Sequence, residues 1–126
     1  MTNHKNDTGY ETFREFKLTD GIKYKLNIGL REASDNIAKG LWYSNLAAFS
    51  TFDRDLDFGG SRNCAVDRHG AWWYKTCTYV NFNGLYVQPG ETCKLAGAET
   101  GVCAQWHGGF NSGGKLRRSS MMLRRT

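Results

Sequence analysis

The sequence has no long apolar run, and this absence sets the first limits on the protein. A membrane helix needs about 20 consecutive apolar residues, but the longest apolar stretches, such as that around Leu85 to Val87, are far shorter. The polar N-terminus, Met1 to Gly9, also lacks the apolar run that drives secretion. We predict one folded domain of 126 residues with a polar tail over residues 1–9, no transmembrane segment and no membrane partner.

Acidic residues are missing from the end of the chain. No acid follows Glu99, and the net charge of +5 arises there, from Lys115, Arg117, Arg118, Arg124 and Arg125. Such a basic segment can bind nucleic acid or anionic polysaccharide through counterion release. It is more typical of solvent-facing positions on a terminal strand, so we predict no nucleic-acid partner.

Cysteine is absent before Cys64, and the 4 cysteines contain no Cys-x-x-Cys pair. An even set of this kind is typical of disulfides in an extracellular protein. We predict two local bridges, Cys64–Cys77 and Cys93–Cys103, although other pairings of the same residues are possible. A zinc site is poorly supported because no candidate ligands have the short spacing of zinc motifs.

Secretion without a leader in the sequence leads us to expect an incomplete N-terminus. The tripeptide Asn6-Asp7-Thr8 agrees with an extracellular location, because it is a glycosylation sequon with Asn6 as the acceptor.

The first half of the chain contains a strand pattern. Ile22, Tyr24, Leu26 and Ile28 alternate with polar residues, and Asp20-Gly21 offers a turn before them, which predicts a β-hairpin. Residues 34–48 fit either a short helix or an irregular connection. Beyond Phe49 many Gly and Asn residues interrupt short runs, so long regular elements are not expected.

Three carboxylates at alternate positions, Asp53, Asp55 and Asp57, suit a hard cation that needs several oxygen ligands. The loop is not an EF-hand, because Phe58 and Cys64 occupy the positions where that loop requires Gly and Glu. The following Gly59-Gly60-Ser61 allows carbonyl oxygens to complete a coordination shell. We predict a calcium site; the alternative is a solvated acidic turn.

The sequence contains no convincing catalytic arrangement. No nucleophile lies beside a base, and no paired carboxylates lie in an apolar setting. His4, His69 and His107 are in polar or Gly-rich segments and are predicted to be surface residues. We predict that the protein is not an enzyme.

An ordered set of motifs closely resembles the fibrinogen C-terminal domain family, which includes ficolins, tachylectins, angiopoietins and tenascins. The motifs are Tyr10 to Phe13, Tyr24 to Gly29, Phe49 to Asp57, Asn63-Cys64-Ala65, Gly70 to Tyr74, Cys77 and Asn81 to Tyr86.

The resemblance implies an α+β fold that forms only the C-terminal half of such a domain, with short twisted antiparallel strands and a loop-rich calcium-binding subdomain. It implies central strands over residues 10–52, a calcium- and ligand-binding subdomain over 53–110 and a terminal strand over 111–126. No counterpart of the N-terminal subdomain precedes Tyr10, so we expect a fragment with exposed apolar surface and marginal stability.

The resemblance also assigns the calcium ligands. They would be the carboxylates of Asp55 and Asp57 and the carbonyls of Gly59 and Ser61, with Asp53 just outside the shell. The loop is one residue longer than in the fibrinogen gamma chain, which makes the carbonyls of Gly60 and Arg62 rival donors.

In the family, a ligand pocket lies beside the calcium site, at a cis peptide that would be Thr76–Cys77 here. Acetyl-binding members have a Tyr and a His where this chain has Arg68 and Thr78, so an acidic ligand becomes an alternative to an acetylated one. Trp106 matches the family's C-terminal tryptophan pattern and is predicted to contribute to the same pocket.

These features predict a secreted, calcium-dependent, lectin-like module that binds glycans or acetylated or acidic groups in innate immunity. The alternative is a module of adhesion or receptor–ligand type that binds a protein and no sugar. Regions upstream of this chain would supply any oligomerisation.

Overall fold

The computed structural model describes residues 1–91, 93, 102–107, 110 and 115–125. Short antiparallel strand pairs and two single-turn helices form the regular structure, in agreement with the predicted α+β fold. The elements are β1 (Thr2–Asn3), β2 (Glu11–Phe13), β3 (Phe16–Thr19), β4 (Lys25–Ile28), β5 (Arg31–Ala33), α1 (Gly40–Tyr43), α2 (Cys64–Asp67), β6 (Val80–Asn81), β7 (Gln105–Trp106) and β8 (Leu116–Arg118).

The predicted hairpin is formed by β3 and β4, which pair from Phe16↔Ile28 to Thr19↔Lys25. Leu26 and Ile28 enter the core, as the alternation predicts. Ile22 and Tyr24 do not continue this pattern, because they lie in the turn and are 69% and 51% exposed. The turn is therefore longer than the Asp20-Gly21 pair alone.

The strands on either side of this hairpin, β2 before it and β5 after it, also pair with each other, from Glu11↔Ala33 to Phe13↔Arg31. Backbone hydrogen bonds from Arg14 to Leu30 and from Gly29 to Glu15 continue the pairing toward the hairpin. The predicted central region thus begins as one long, interrupted antiparallel ribbon.

Residues 1–9, expected to form a polar tail, are instead part of the fold. β1 pairs with β8, with Thr2 opposite Arg118 and Asn3 opposite Leu116. The Asn3 side chain is buried, and its Oδ1 accepts hydrogen bonds from the backbone N–H groups of Lys5 and Asp7 at 2.9 and 2.8 Å. The buried amide satisfies backbone groups in this way, and Met1 packs against the core, so a mostly polar segment joins the fold.

Only part of the predicted terminal strand over 111–126 is a strand. Pairing covers Leu116–Arg118, while residues 119–125 are exposed and unpaired, and residues 111–114 and 126 lie outside the described residues. Arg117, Arg118, Arg124 and Arg125 are exposed, as predicted for the basic segment.

Aromatic residues dominate the core. Trp72, Trp73 and Tyr74 are all buried, and the Trp73 indole N–H donates to the Tyr24 carbonyl at 2.8 Å. This bond anchors the hairpin turn to the second half of the chain.

The segment over 34–48 contains the short helix α1, which begins at Gly40. A Cβ at Gly40 would lie 2.5 Å from both Trp106 Cε2 and Val80 Cγ2. Glycine is present here because the helix packs closely on the core, although glycine is a poor helix former.

Two ion pairs of different burial link β2 and its extension to β5. Arg31 binds the Glu11 carboxylate and also donates to the Ile37 carbonyl at 2.9 Å. The Arg31 side chain is 19% exposed and the Glu11 side chain is 2% exposed. Burial raises the pKa of Glu11, and the Arg31 guanidinium partly offsets this effect. Arg14 and Glu32 form a 2.9 Å pair on the exposed side of the same ribbon.

We predict that Arg31→Met lowers the free energy of unfolding by ~3–5 kcal/mol, because it leaves the Glu11 carboxylate buried without its partner. The matched control Arg14→Met, in the exposed pair, should cost ~1 kcal/mol or less. Urea denaturation monitored by tryptophan fluorescence measures both, and equal costs would contradict the assignment of Glu11–Arg31 as a buried structural pair.

Candidate functional site

The site is organised by the short helix α2 and the disulfide at its first residue. The Asn63 side chain caps the helix, because its Oδ1 accepts hydrogen bonds from Ala65 and Val66 N–H at 2.9 and 3.1 Å. The cap places Cys64 inside the molecule and Arg68 just past the last turn.

Both predicted disulfides are present. Cys64–Cys77 has a Cα–Cα distance of 5.4 Å, and Cys93–Cys103 has one of 5.7 Å. Residues 94–101, within the second loop, lie outside the described residues. The Thr76–Cys77 peptide bond is cis, as the resemblance implies.

A cleft of about 440 Å³ opens beside the first disulfide. It contains four of the predicted ligand-binding residues. The lining consists of Tyr43, Arg68, Thr76, Cys77, Thr78, Tyr79, Gln105 and His107.

Trp106, which was also predicted to contribute to the pocket, is instead a core residue. It is 2% exposed, and its indole N–H donates to the Ala38 carbonyl at 3.0 Å. Its neighbours Gln105 and His107 line the cleft, so the tryptophan supports the wall from behind.

One wall of the cleft is a continuous row of aromatic rings. The Tyr43 and Tyr79 ring centroids are 4.7 Å apart, and the His107 ring is stacked on Tyr79 at 5.9 Å with an interplanar angle of 16°. Tyr79 is 47% exposed, so this row offers aromatic surface to a ligand.

Hydroxyl groups lie along the edge of this wall. The Tyr43 hydroxyl is 2.9 Å from Thr76 Oγ1, and Thr78 Oγ1 is 3.4 Å from Ser44 Oγ. The cleft therefore combines apolar ring faces with polar groups, as is typical of sites that bind small polar molecules.

Sequence reasoning missed Tyr43, Tyr79, Gln105 and His107 as cleft residues. His107 is exposed, as predicted, and its ring also lines the cleft, where it is stacked on Tyr79. A signal for two of them was their adjacency to predicted site residues, since Tyr79 follows Thr78 and His107 follows Trp106. Tyr43 had no such signal, because it lies 33 residues before Thr76.

The segment from Asp53 to Ser61, called the acidic loop below, turns around the Asp57 carboxylate. Asp57 Oδ1 accepts from Gly59 N–H at 2.6 Å, and Oδ2 accepts from Cys64 N–H at 2.7 Å. A Cβ at Gly59 would lie 2.8 Å from Asp57 Oδ1 and 3.0 Å from the Arg62 carbonyl oxygen. A side chain at this position would displace the Asp57 carboxylate and crowd the Arg62 carbonyl, so the loop brings a carboxylate and a backbone carbonyl close together.

The other two acidic side chains of the loop have different partners. Asp55 Oδ1 accepts from Asp57 N–H at 3.1 Å, and Asp53 Oδ1 accepts from the Thr51 hydroxyl at 2.6 Å. No three His, Cys, Asp or Glu side chains form a possible metal cluster in the part of the chain that the structure describes. Asp53, Asp55 and Asp57 therefore do not form a three-carboxylate cage.

Asp55 and Asp57 are neighbours in the loop, as the hydrogen bond from Asp57 N–H to Asp55 Oδ1 shows. Partial burial raises the pKa of Asp57, hydrogen bonds from Cys64 and Gly59 lower it, and the negative charge of Asp55 raises it further. Two neighbouring carboxylates repel each other, and a bound cation removes this repulsion. A site with these two carboxylates completed by carbonyl oxygens fits the chemistry of calcium. Gly60, which has φ +71°, and Ser61 are exposed beside them.

A buried network fixes the backbone of Arg68. The Tyr74 hydroxyl donates to Asn81 Oδ1 at 2.8 Å, and Asn81 Nδ2 donates to the Arg68 carbonyl at 2.9 Å. Burial raises the pKa of Tyr74 above its ordinary value, which itself already leaves the hydroxyl protonated at neutral pH. Buried side chains thus fix the main chain at Arg68, which lines the cleft.

The acidic loop and the cleft are physically joined. Asp57 holds Cys64 N–H, Cys64 is bonded to Cys77, and Phe58 N–H donates to the Lys75 carbonyl at 3.0 Å. A change in the acidic loop can therefore reach the segment that lines the cleft.

The predicted glycosylation acceptor, Asn6, is exposed, with its Oδ1 near an Arg117 guanidinium nitrogen. Among the described residues, no helix has the length and apolar character needed to cross a membrane.

A family model matches the whole chain, and known proteins match most of it. The model of the family "Fibrinogen beta and gamma chains, C-terminal globular domain" covers residues 1–126. Human Ficolin-3 is 36% identical over 115 residues, which are 91% of this chain and 35% of that protein. Human Microfibril-associated glycoprotein 4 is 31% identical over 133 residues, 99% of this chain and 48% of that protein.

Among solved structures, the fibrinogen-like globe domain of human ANGPTL6 superposes with a TM-score of 0.79 at 26% identity, over 92% of this chain and 50% of that one. The chain thus spans about half or less of the length of the relatives it matches. The disulfide frame, the fold and the full-length match together show that the chain belongs to the fibrinogen C-terminal globular domain family.

Proposed function

We propose that this chain is an extracellular, calcium-dependent recognition module whose ligand site is the cleft beside Cys64–Cys77. The observation that carries the proposal is the cleft itself, in which exposed aromatic rings, hydroxyl groups and Arg68 converge on one space. This composition suits a sugar, whose apolar faces pack on aromatic rings while its polar groups find hydrogen-bonding partners. Glycans or acetylated or acidic groups are the proposed ligands.

The extracellular location is part of the proposal. Each of the described cysteines is in a disulfide, and such bridges persist in oxidising compartments. We propose a role in innate immunity together with the lectin-like function.

Calcium is proposed to bind at the acidic loop through the carboxylates of Asp55 and Asp57, with backbone carbonyls of Gly59 and Ser61, or of their rivals Gly60 and Arg62. The surroundings of Gly59 support this assignment, because Asp57 Oδ1 and the Arg62 carbonyl oxygen lie 2.8 and 3.0 Å from the position that a Cβ would take there. Bound calcium would neutralise the two carboxylates and stabilise the Asp57–Cys64 corner that adjoins the cleft.

We expect calcium to add about 2.7 kcal/mol to the free energy of unfolding when its free concentration is 100 times the Kd. The melting temperature of the chain should rise accordingly. Asp55→Asn and Asp57→Asn should each abolish most of this increase because they remove ligand charge. Asp53→Asn is the matched control, since Asp53 binds the Thr51 hydroxyl, and it should keep the increase. Differential scanning calorimetry with calcium and with chelator measures these shifts. A wild-type chain indifferent to calcium, or equal losses in all three variants, would contradict the site.

A glycan array tests the ligand class. The full chain, tagged for detection, should bind a subset of acetylated or acidic glycans in the presence of calcium and lose that binding in chelator. Asp53→Asn should bind normally and Asp57→Asn weakly. Glycan binding that does not change with chelator would refute the calcium-dependent site, and an array without signal would refute the lectin-like proposal.

A protein ligand is the second candidate function. One relative is named for its association with microfibrils, and the structure has exposed apolar side chains outside the cleft, among them Leu30 and Trp42 beside the cations Arg14, Arg31 and Lys39. Protein interfaces spread over more residues than a sugar pocket does.

Pull-down of extracellular matrix or receptor proteins by the wild-type chain and by Arg68→Ala separates the two functions. For a protein-binding module, we expect capture of a defined partner that survives Arg68→Ala, because one cleft residue supplies little of a broad interface. Capture that is lost in Arg68→Ala and is competed by free sugar would instead favour the lectin-like function.

A further inference from the structure

The pairing of β1 with β8 brings the two ends of the chain together in a region rich in cations. Thr2 lies opposite Arg118, and the His4 N–H donates to the Lys115 carbonyl at 3.3 Å. The exposed Lys5 follows in the turn after β1, so it lies near the basic end of the chain. We call this region the terminal basic surface; its cations are Lys5, Arg117, Arg118, Arg124 and Arg125.

The charges of the terminal basic surface are available to a ligand. All of its cations belong to exposed residues. Arg117 donates to Asn6 Oδ1, but an amide is neutral and leaves the charge of the guanidinium uncompensated. The other four side chains have neither a hydrogen bond nor an ion pair within the described part of the chain; they are Lys5, Arg118, Arg124 and Arg125.

The neighbouring carboxylates have other hydrogen-bond partners. Asp7, which follows β1, accepts from Asn3 Nδ2 at 3.1 Å, and Glu91, whose carbonyl binds Lys115 Nζ, accepts from Gln88 N–H at 2.7 Å. No Asp or Glu follows Glu99, so the C-terminal cations have no acidic neighbour along the chain. Two carboxylates offset only part of the charge of five cations, and the potential here is positive.

The cations are spread along exposed backbone and do not converge on one point. Arg117 and Arg118 are in β8, whereas Arg124 and Arg125 follow in the exposed segment 119–125. A row of separate charges suits a polymer that carries a negative charge at regular intervals, because each contact releases condensed counterions. Each guanidinium can in addition form paired hydrogen bonds with an oxyanion group.

The proposed extracellular location, which the two disulfides support, favours one class of polyanion. Sulfated polysaccharides are abundant linear polyanions outside cells, whereas anionic lipids are concentrated in the cytoplasmic leaflet of the membrane. We infer that the terminal basic surface is a second binding site, specific for a linear sulfated polysaccharide. None of its cations lines the cleft, so the inference goes beyond the proposed function.

The first test measures binding of the wild-type chain to heparin, a sulfated polysaccharide, by titration calorimetry. If about four cations are neutralised, affinity should fall on the order of a hundredfold between about 50 and about 200 mM salt. Desulfated heparin should bind far more weakly, because it keeps the sugar backbone and loses charge. Absence of heparin binding at about 50 mM salt would overturn the inference.

The same measurement with chelator separates the terminal basic surface from the cleft. Heparin affinity should not change when calcium is removed, because the acidic loop contributes no residue to this surface. Binding that is lost with chelator would overturn the inference, since it would place heparin at the calcium-dependent cleft. A chain that does not bind heparin but still binds glycans in calcium would leave the proposed function intact.

A triple variant locates the site. Arg118→Gln, Arg124→Gln and Arg125→Gln together remove three exposed charges and should lower heparin affinity by at least about tenfold at low salt. The slope of log affinity against log salt should become shallower by about 3, because each lost contact accounts for about 1.

The matched control removes three lysines from the β3–β4 hairpin and should keep both the affinity and the slope. Its substitutions are Lys17→Gln, Lys23→Gln and Lys25→Gln. Equal losses in the two triple variants would mean that net charge acts without a defined site, which would overturn the assignment to the terminal basic surface.

Competition distinguishes the classes of polyanion. Met121, Met122 and Leu123 are exposed between the two arginine pairs, and such apolar side chains are of the kind that enter a lipid surface. Vesicles that contain phosphatidylserine and a single-stranded oligonucleotide are therefore tested against immobilised heparin. Free heparin should compete best at equal charge concentration. Stronger competition by vesicles or by the oligonucleotide would overturn the polysaccharide assignment in favour of that class.

Discussion

The hydrogen bond from Cys64 N–H to the Asp57 carboxylate is the contact on which the arrangement of the site depends. It fixes the acidic loop to the first residue of α2, and the disulfide from Cys64 carries the same constraint to Cys77 in the cleft. Hydrogen bonds to a carboxylate are stronger than neutral ones, and the disulfide restricts the chain on the other side. The acidic loop, α2 and the cleft segment therefore meet at one corner, although they are separate in sequence.

The core gives this corner a rigid support. Trp72, Trp73 and Tyr74 precede the cleft segment and are all buried, and Trp106 is buried between the cleft residues Gln105 and His107. Because interiors are closely packed, the residues that line the cleft are held by side chains that a ligand does not touch. Trp72, Trp73 and Trp106 are thus used for packing in this protein, and Tyr79 and His107 provide the accessible rings of the cleft.

Local chemistry in the sequence was sufficient to predict the disulfides and the β3–β4 hairpin, whereas the prediction that Arg68, Thr76, Cys77 and Thr78 lie together came from the family resemblance. Features that depend on distant partners could not be predicted in this way. Residues 1–9 contain few apolar residues, and their pairing with β8 and the packing of Met1 against the core show that they belong to the fold.

Two other differences have the same origin. Gly40 breaks a helical pattern in the sequence, yet its missing side chain is what allows α1 to approach Trp106 and Val80. Trp106 fits a family pattern for a pocket residue, but the path of the chain turns it toward the Ala38 carbonyl. Residue type and spacing do not determine which face of a short strand meets the core when that face is chosen by tertiary contacts.

The walls of the cleft come from three distant parts of the chain, around Tyr43, between Arg68 and Tyr79, and at Gln105 and His107. No excised peptide would contain them all, so the cleft exists only when the chain is folded. By mass action, a ligand that requires all three segments favours the folded state over every partly unfolded one. Occupancy of the cleft would therefore also act as a non-covalent cross-link that protects the chain from opening and from proteolysis.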